Sequence, residues 1–193
     1  NLDFGPAVRP AFHFAIANNY DPLVTIDCDA QHQPQMIPAF VRAAAAADVV
    51  SGSRYLRRFP GDSEPPPDRR RINQLITEEL NRRLGLRLTD AFCGFKAYRV
   101  EALRNIQITE TGYAMPIEFW VQAARLGLSI IELAVPLIYL DESRSFGGAM
   151  DNAEVRLAVY RKVLERCISQ GTTAAGPPAP LGRPAPAAAP CPE

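Results

Sequence analysis

The segment that most constrains this chain is LVTIDCDAQH, from Leu23 to His32, in which a short apolar run ends at two acidic residues. The run is rich in β-branched side chains and is flanked by turn-forming residues, which predicts a buried parallel strand of an α/β sheet over 23–26. In open α/β sheets, ligands bind outside the carboxyl ends of the strands. The pattern therefore places Asp27 and Asp29 where a ligand would bind.

Two carboxylates one residue apart at the end of a strand can turn toward a common point. Mg²⁺ and Mn²⁺ prefer oxygen ligands of this kind, commonly one or two carboxylates together with phosphate oxygens. Gln31 adds a neutral oxygen to the set. A simpler interpretation is that Asp27 ends the strand and Asp29 caps the helix that follows, and the segment alone leaves both interpretations open.

The composition favours one globular domain and argues against nucleic-acid binding. A chain of 193 residues is long enough for a single well-buried domain, and its 21 basic and 21 acidic side chains cancel. The four cysteines are scattered without the spacing of a zinc site or a disulfide framework. No apolar run reaches the roughly 18 residues that cross a bilayer. We expect a cytoplasmic protein, at most peripheral to the inner face of the membrane, with no transmembrane segment.

Helical and strand-like patterns alternate along the chain, as in an α/β fold. The expected helices cover 7–18, 34–47, 69–86, 113–126 and 151–168. A further strand is expected over 48–53, a short turn and strand over 88–99, and a strand pair or one bent strand over 129–140. Residues 1–9 and the proline-rich stretch 54–68 are expected to be loops, and Pro10 is tolerated only in the first turn of a helix. Residues 171–193 are rich in Pro and Ala, which predicts a disordered tail.

Two further charged features stand out. Arg69, Arg70 and Arg71 lie at the start of a predicted helix, where the helix dipole disfavours positive charge. An anionic partner and a solvated helix face would each explain them. Glu118 lies between apolar neighbours on the predicted helix over 113–126, so it is either a half-buried acid with satisfied hydrogen bonds or a residue of a functional site.

Taken in chain order, these motifs resemble family 2 glycosyltransferases, in particular the branch around dolichyl-phosphate mannose synthase. The resemblance is carried by Gly5 within 1–9, DCDAQH at 27–32, SGSRY at 51–55, Arg71 with Asn73, TDAFCGFKAYR at 89–99, Glu118, and Val135-Pro136 leading to RSFG at 144–147. It implies a partial GT-A fold, which is a Rossmann-like α/β three-layer sandwich with a mixed, mainly parallel sheet. The catalytic domain would cover residues 1–170.

The resemblance also implies an activity and a cofactor. Family members transfer a sugar, with inversion, from a nucleotide-diphospho-sugar to a polyprenyl phosphate or another acceptor, using Mg²⁺ or Mn²⁺. Carried over to this chain, Asp29 and Gln31 would coordinate the metal that bridges the diphosphate, and Asp27 would contact the nucleotide or the metal. The metal neutralises charge that develops on the departing diphosphate.

The same resemblance assigns roles to five further residues. Arg54, Arg71 and Arg144 would be anion contacts for the diphosphate or a phosphorylated acceptor, because a guanidinium binds phosphate through paired hydrogen bonds. Asp90 would line the acceptor side. Asp90 or Glu118 would act as a base if the acceptor is a hydroxyl, whereas a phosphate acceptor needs no strong base.

The chain departs from the family pattern at two places that concern activity. After Arg144 the family commonly continues into Ser-Lys, where this chain has Gly148-Ala-Met150. Family members also have two or more strand–helix units before the position of Asn1, and these units hold the nucleotide base. We therefore expect the strand over 23–26 to expose an unpaired edge, and the chain alone to bind donor poorly and to turn over little or nothing.

Two other classes share parts of this pattern. Phosphatases of the haloacid dehalogenase type also start from an apolar run and Asp-x-Asp, with the first acid as a nucleophile. That class expects Thr or Val where Gln31 stands and a later paired-acid motif, and neither is found in this sequence. The second alternative is a non-catalytic subunit that keeps the fold and pairs with another protein by strand addition.

Overall fold

The computed structural model of the chain describes residues 4–140 and 145–170. The helices are α1 (Phe4–Ala17), α2 (Ile37–Ala43), α3 (Pro67–Leu84), α4 (Val100–Leu103), α5 (Met115–Arg125) and α6 (Ala153–Gln170), with 3₁₀ turns at Pro34–Met36 and Gly148–Asp151. The strands are β1 (Leu23–Thr25), β2 (Val49–Ser53), β3 (Lys96–Tyr98) and β4 (Ile130–Ala134). Within the two described ranges, no helix has both the length and the apolar character that crossing a bilayer requires.

The four strands form one mixed sheet in the order β1-β3-β2-β4. Strand β3 is antiparallel to β1 and β2, whereas β2 is parallel to β4. Three strands therefore share one direction, which confirms the predicted mixed sheet. The strand predicted over 23–26 is present as Leu23–Thr25, but the prediction that it is buried and has a parallel neighbour is wrong, because β3 inserts between β1 and β2. As a result β1 has an antiparallel neighbour, lies at the edge of the described sheet and is only half-buried.

The sheet lies between two apolar layers. Neighbouring residues of β2 point to opposite faces, as strand geometry requires, so Val49 packs in one cluster and Val50 in the other. The larger cluster includes buried residues of α3, α5 and α6, and the smaller one is centred on Phe40 of α2, whose ring stacks on Phe95 at 4.0 Å. This arrangement is the predicted three-layer sandwich.

Helix α1 begins earlier than the sequence pattern predicts. The expected loop over 1–9 is wrong from Phe4 onward, and Pro10 lies in the second turn rather than the first. Burial offsets the cost of this proline, since the inner face of α1 contributes Val8, Phe12 and Ala15 to the core. Gly5 permits close packing at the start of the helix, because a Cβ there would lie 2.1 Å from the carbonyl oxygen of Glu110.

Other predicted elements are present but shorter. The short turn followed by a strand predicted over 88–99 is confirmed, since backbone N–H groups at Thr89, Ala91 and Phe92 donate to side chains instead of a neighbouring strand. Regular pairing starts only at Lys96. The predicted tail over 171–193 lies outside the described residues.

Candidate functional site

A cleft of about 810 Å³ opens at the carboxyl ends of the strands. Strands β1 and β2 run in the same direction, so the loops that follow them meet at one edge of the sheet. The charged and amide side chains in the wall of the cleft are Asp27, Asp29, Gln31, Arg54, Arg69, Asn73 and Arg156. Its aromatic side chains are Tyr55, Phe92, Tyr113, Tyr139, Phe146 and Tyr160.

The Asp27 carboxylate is held between a histidine and a glycine. Its Oδ2 lies 3.5 Å from Nε2 of His32, and a Cβ on Gly94 would lie 2.1 Å from the same oxygen, so only glycine fits there. Burial raises the pKa of Asp27, but the hydrogen bond and charge of His32 and the charges of Lys96 and Arg54 outweigh burial and lower it. The side chain remains 35% exposed, so an ionised carboxylate faces the cleft.

Asp29 and Gln31 reach the same cleft through a tight turn. Oδ1 of Asp29 accepts the backbone N–H of Gln31 at 3.0 Å, and Ala30 between them has a left-handed φ of 62°. The simpler interpretation of Asp29 as a helix cap is wrong, because Gln33 occupies the cap position of the following 3₁₀ turn. Both predicted metal-binding acids therefore line one cleft with Gln31.

The donor set in this loop fits a hard divalent cation only in part. Among the described residues there is no group of three or more His, Cys, Asp or Glu side chains placed to hold a metal by themselves. Two carboxylates and an amide do line the cleft. Mg²⁺ is commonly bound in this way, by one or two carboxylates while phosphate oxygens and water complete its octahedron. The loop thus suits a cation that arrives with a phosphorylated ligand.

Arg54 and Asp90 form a buried ion pair beside this loop. Nε and Nη2 of Arg54 donate to the two oxygens of Asp90 at 2.7 and 3.0 Å, and Asn73 Nδ2 donates at 2.7 Å. Burial alone would raise the pKa of Asp90, but the charge and hydrogen bonds of Arg54 and the bond from Asn73 lower it to about 2. Burial lowers the pKa of Arg54, but the charge and hydrogen bonds of Asp90 raise it, so that this pKa lies well above the usual value. The pair stays charged near neutral pH, with Arg54 in the wall of the cleft and Asp90 fully buried behind it.

Arg71 does not join this group. It lies outside the cleft wall, and its Nη1 donates to Oε1 of Glu154 on α6 at 2.9 Å in an exposed ion pair. Arg69 lines the cleft instead. Residues two positions apart on a helix are rotated by about 200° around its axis, so the two arginines face nearly opposite directions. Arg144 lies outside the described residues, and its role stays a prediction.

Glu118 also lies apart from the cleft wall. It is 6% exposed, and its two oxygens accept the N–H and hydroxyl of Thr109 and the N–H of Glu110 at 2.6–2.9 Å. These bonds hold the segment before α5. The geometry therefore favours the interpretation of Glu118 as an acid with satisfied hydrogen bonds, although the side chain is buried rather than half-buried.

Sequence reasoning missed an arginine–aromatic cluster at the far side of the cleft. The guanidinium groups of Arg69 and Arg156 lie 4.9 and 4.4 Å from the centroid of the Phe146 ring, and Tyr113 meets this ring edge-on at 5.0 Å. The run of arginines at the start of α3 signalled part of this cluster. Arg156 gave no signal, because an arginine in an amphipathic helix normally indicates an exposed position.

The fold is shared with solved structures of GT-A-type glycosyltransferases. Glucosyl-3-phosphoglycerate synthase of Mycobacterium tuberculosis superposes with a TM-score of 0.58 at 19% identity, covering 86% of this chain and 56% of that one. A second structure of the enzyme, in complex with Mn²⁺ and UDP-glucose, gives a TM-score of 0.57 at 20% identity, covering 86% and 54%. At this identity the likeness establishes the fold.

The family follows from sequence comparison. The model of glycosyl transferase family 2 matches residues 11–107, and the chain belongs to this family. Curated relatives include an undecaprenyl-phosphate mannosyltransferase of Micrococcus luteus, 34% identical over 79% of this chain, and a polyprenol monophosphomannose synthase of Mycolicibacterium smegmatis, 29% identical over 81%. A dolichyl-phosphate hexose transferase of Haloferax volcanii is 30% identical over 86% of this chain and 69% of its own length.

The chain spans 65% and 59% of the lengths of the Micrococcus and Mycolicibacterium relatives. Membership of family 2 confirms the resemblance seen in the sequence motifs. It does not favour the phosphatase or the non-catalytic subunit as alternatives.

Proposed function

We propose that this chain takes part in the metal-dependent, inverting transfer of a sugar from a nucleotide-diphospho-sugar to a polyprenyl phosphate. The observation that carries the proposal is that Asp27, Asp29 and Gln31 line the same cleft as Arg54, at the carboxyl ends of the strands. The names of the Micrococcus and Mycolicibacterium relatives support a polyprenyl phosphate as the acceptor.

In this proposal the loop after β1 holds the cation. Asp27 and Asp29 would hold Mg²⁺ or Mn²⁺, with Gln31 as a neutral oxygen ligand, and the bound metal would neutralise charge on the departing diphosphate. The chain contributes orientation, since His32 and Gly94 confine the Asp27 carboxylate before any ligand arrives. The complex of a GT-A neighbour with Mn²⁺ and UDP-glucose is consistent with this assignment.

Arg54 would supply a fixed positive charge toward the diphosphate. Its guanidinium is already oriented by two hydrogen bonds to Asp90, so it need not reorganise when charge develops on the leaving group. Donors oriented in advance stabilise developing charge better than mobile ones. Asp90, with a pKa of about 2 and its oxygens engaged, suits this holding role rather than proton acceptance.

The other side of the cleft would receive the acceptor. Arg69 and Arg156 offer positive charge beside Phe146 and Tyr113, a combination that suits a phosphate attached to an apolar chain. A phosphate is anionic at neutral pH and attacks without a strong base. This agrees with the position of Glu118, whose oxygens serve backbone N–H groups away from the cleft.

A transfer assay tests the proposal. The purified chain is incubated with undecaprenyl phosphate, GDP-mannose or UDP-glucose, and Mn²⁺, and the lipid product is measured with and without EDTA. We expect slow transfer that requires the metal and is lost in Asp27→Asn, because the amide cannot replace the carboxylate charge. Glu101→Gln, an exposed position paired with Arg104, should behave as the unchanged chain. Transfer that persists in EDTA or in Asp27→Asn would refute the metal role, and a chain that neither transfers sugar nor binds Mn²⁺ together with a nucleoside diphosphate would refute the proposed reaction.

A further inference from the structure

Glu132 on β4 is a half-buried acid that lies outside the cleft wall, and the proposed reaction gives it no role. Its carboxylate accepts the N–H of Thr89 at 2.9 Å with each oxygen, the hydroxyl of Thr89 at 2.8 Å and the N–H of Asp90 at 3.2 Å. One side chain therefore holds the turn formed by Thr89 and Asp90.

The first branch from this turn leads to Arg54. Asp90 binds the Arg54 guanidinium through both carboxylate oxygens and accepts the Arg54 backbone N–H at 3.2 Å. The position of Asp90 is set by its own backbone, whose N–H is bound by Glu132. A displacement of the turn would thus move the guanidinium in the cleft.

The second branch leads to Tyr55. The Thr89 hydroxyl donates its proton to Glu132, so the Thr89 oxygen accepts a hydrogen bond from the Ser53 hydroxyl, whose Oγ lies 2.5 Å away. Ser53 Oγ in turn accepts the N–H of Tyr55 at 3.2 Å. Each hydroxyl carries one proton, whereas an ionised carboxylate only accepts. The Glu132 carboxylate therefore fixes the direction of every hydrogen bond in this series.

A carboxylate is an unfavourable choice at this place unless its accepting capacity is needed. Burial raises the pKa of Glu132, the bonds from Thr89 and Asp90 lower it, and the negative charge of Asp90 raises it, with a net increase. A neutral amide would avoid the cost of burying a charge beside a like charge. It could not, however, accept four hydrogen bonds without turning its NH₂ group toward donors.

We propose that Glu132 is a positioning residue, which sets Arg54 and the backbone of Tyr55 through the Thr89–Asp90 turn. Its effect on transfer rests on the proposed function of Arg54, but its effect on the turn does not. The side chain touches no substrate in this account.

Kinetics of Glu132→Gln test the link to Arg54. In Glu132→Gln the side-chain NH₂ group faces the backbone N–H groups of the turn. We expect kcat to fall about tenfold or more while the donor KM changes less than about threefold, because the interaction of Arg54 with the transition state is weakened. Residues that act as one unit are not additive. Arg54→Lys combined with Glu132→Gln should therefore be no slower than the slower single variant, and Glu101→Gln should match the unchanged chain.

Fluorescence tests the turn without any turnover. The single tryptophan of the chain, Trp120, donates its indole N–H at 2.9 Å to the carbonyl of Ala91, which directly follows Asp90. Emission from Trp120 should shift in Glu132→Gln and, by a smaller amount, in Thr89→Val, but not in Glu101→Gln. Thr89→Val loses only the hydroxyl bonds, so it reports on the same turn if Glu132→Gln does not fold.

The two readouts separate this inference from the proposed function. A chain that neither transfers sugar nor binds Mn²⁺ together with a nucleoside diphosphate refutes the proposed function and leaves the emission measurement to decide on Glu132. Unchanged emission in both Glu132→Gln and Thr89→Val overturns the positioning role. In an active chain, additive losses with Arg54→Lys, or a rise in KM with kcat unchanged, overturn it as well.

Discussion

Asp27 in the cleft wall and Asp90 behind it are acids in opposite environments. Asp27 keeps 35% of its side chain exposed and contacts His32 at 3.5 Å, whereas Asp90 is fully buried and has both oxygens bound to Arg54. A carboxylate that is to bind a cation must keep free lone pairs. A guanidinium that is to meet an anion benefits from a fixed orientation. Asp90 thus orients a neighbouring side chain, whereas the exposed carboxylate of Asp27 suits the ligand role proposed for it.

Asp27→Asn should give the largest functional loss. We expect metal-dependent transfer to fall about 100-fold or more, beyond the 10- to 100-fold typical of residues that only support a ligand. Stability in urea should change little, because the side chain is partly exposed and lies 3.5 Å from its ion-pair partner His32. Equal losses of activity and stability would remove the contrast with Asp90.

Asp90→Asn should give the largest loss of stability. Removing one partner of a buried pair leaves an uncompensated charge on Arg54, which typically costs about 3–5 kcal/mol in the free energy of unfolding. Replacing both residues together, as Asp90→Leu with Arg54→Met, should recover much of that stability while transfer remains lost. Urea titrations of the unchanged chain and these two variants measure this, and a mild effect of Asp90→Asn would contradict a buried ion pair.

Acid should weaken the Asp90 pair without a mutation. The pKa of Asp90 in the folded chain, about 2, is below its ordinary value of 3.8. A depressed pKa contributes stability above the unfolded value and loses it as the pH falls toward the folded value. We expect about 2 kcal/mol of unfolding free energy to disappear between about pH 4 and pH 2. The loss should be absent from Asp90→Asn, and an identical acid dependence in both chains would contradict the assignment.

Gly94→Ala should have a smaller, local effect on the partly exposed carboxylate of Asp27. The added Cβ would lie 2.1 Å from Oδ2 of Asp27, so the carboxylate must move. We expect Mn²⁺ to bind about tenfold more weakly in the presence of a nucleoside diphosphate, measured by calorimetry, as for a lost supporting contact. Gly112→Ala is the matched control, because its Cβ would meet only Glu110 Oε1 at 3.8 Å. Similar affinities in the two variants would show that Gly94 does not confine Asp27.

The sequence predicted best what is contiguous. Asp27, Asp29 and Gln31 share one loop, so their meeting in the cleft follows from local geometry, and Arg54 follows the next strand in the same direction. Arg71, which the resemblance named, lies outside the cleft wall and Arg69 lines it, because two positions on a helix nearly reverse the direction of a side chain. The run of arginines at the start of α3 indicated a charged cluster, but the sequence did not determine which helix face points into the cleft.

Acids on apolar elements were harder to interpret from sequence. Glu118 and Glu132 both lie among apolar neighbours, but one binds the segment before α5 and the other the turn behind Arg54. The partners are 8 to 43 residues away in the chain, and only packing determines them. The insertion of β3 between β1 and β2 is likewise a tertiary outcome, since the local pattern of a strand contains no information about its neighbour.

In the proposed function, Asp27 and Asp29 hold a cation together with a diphosphate. Electron paramagnetic resonance of Mn²⁺ tests it directly, because the free ion gives a sharp signal that weakens on binding. The account predicts that the unchanged chain with GDP or UDP removes more of the free Mn²⁺ signal than the nucleotide alone, and that Asp27→Asn abolishes this difference. An equal loss of signal in Asp27→Asn, or no loss beyond that of the nucleotide in the unchanged chain, would contradict it.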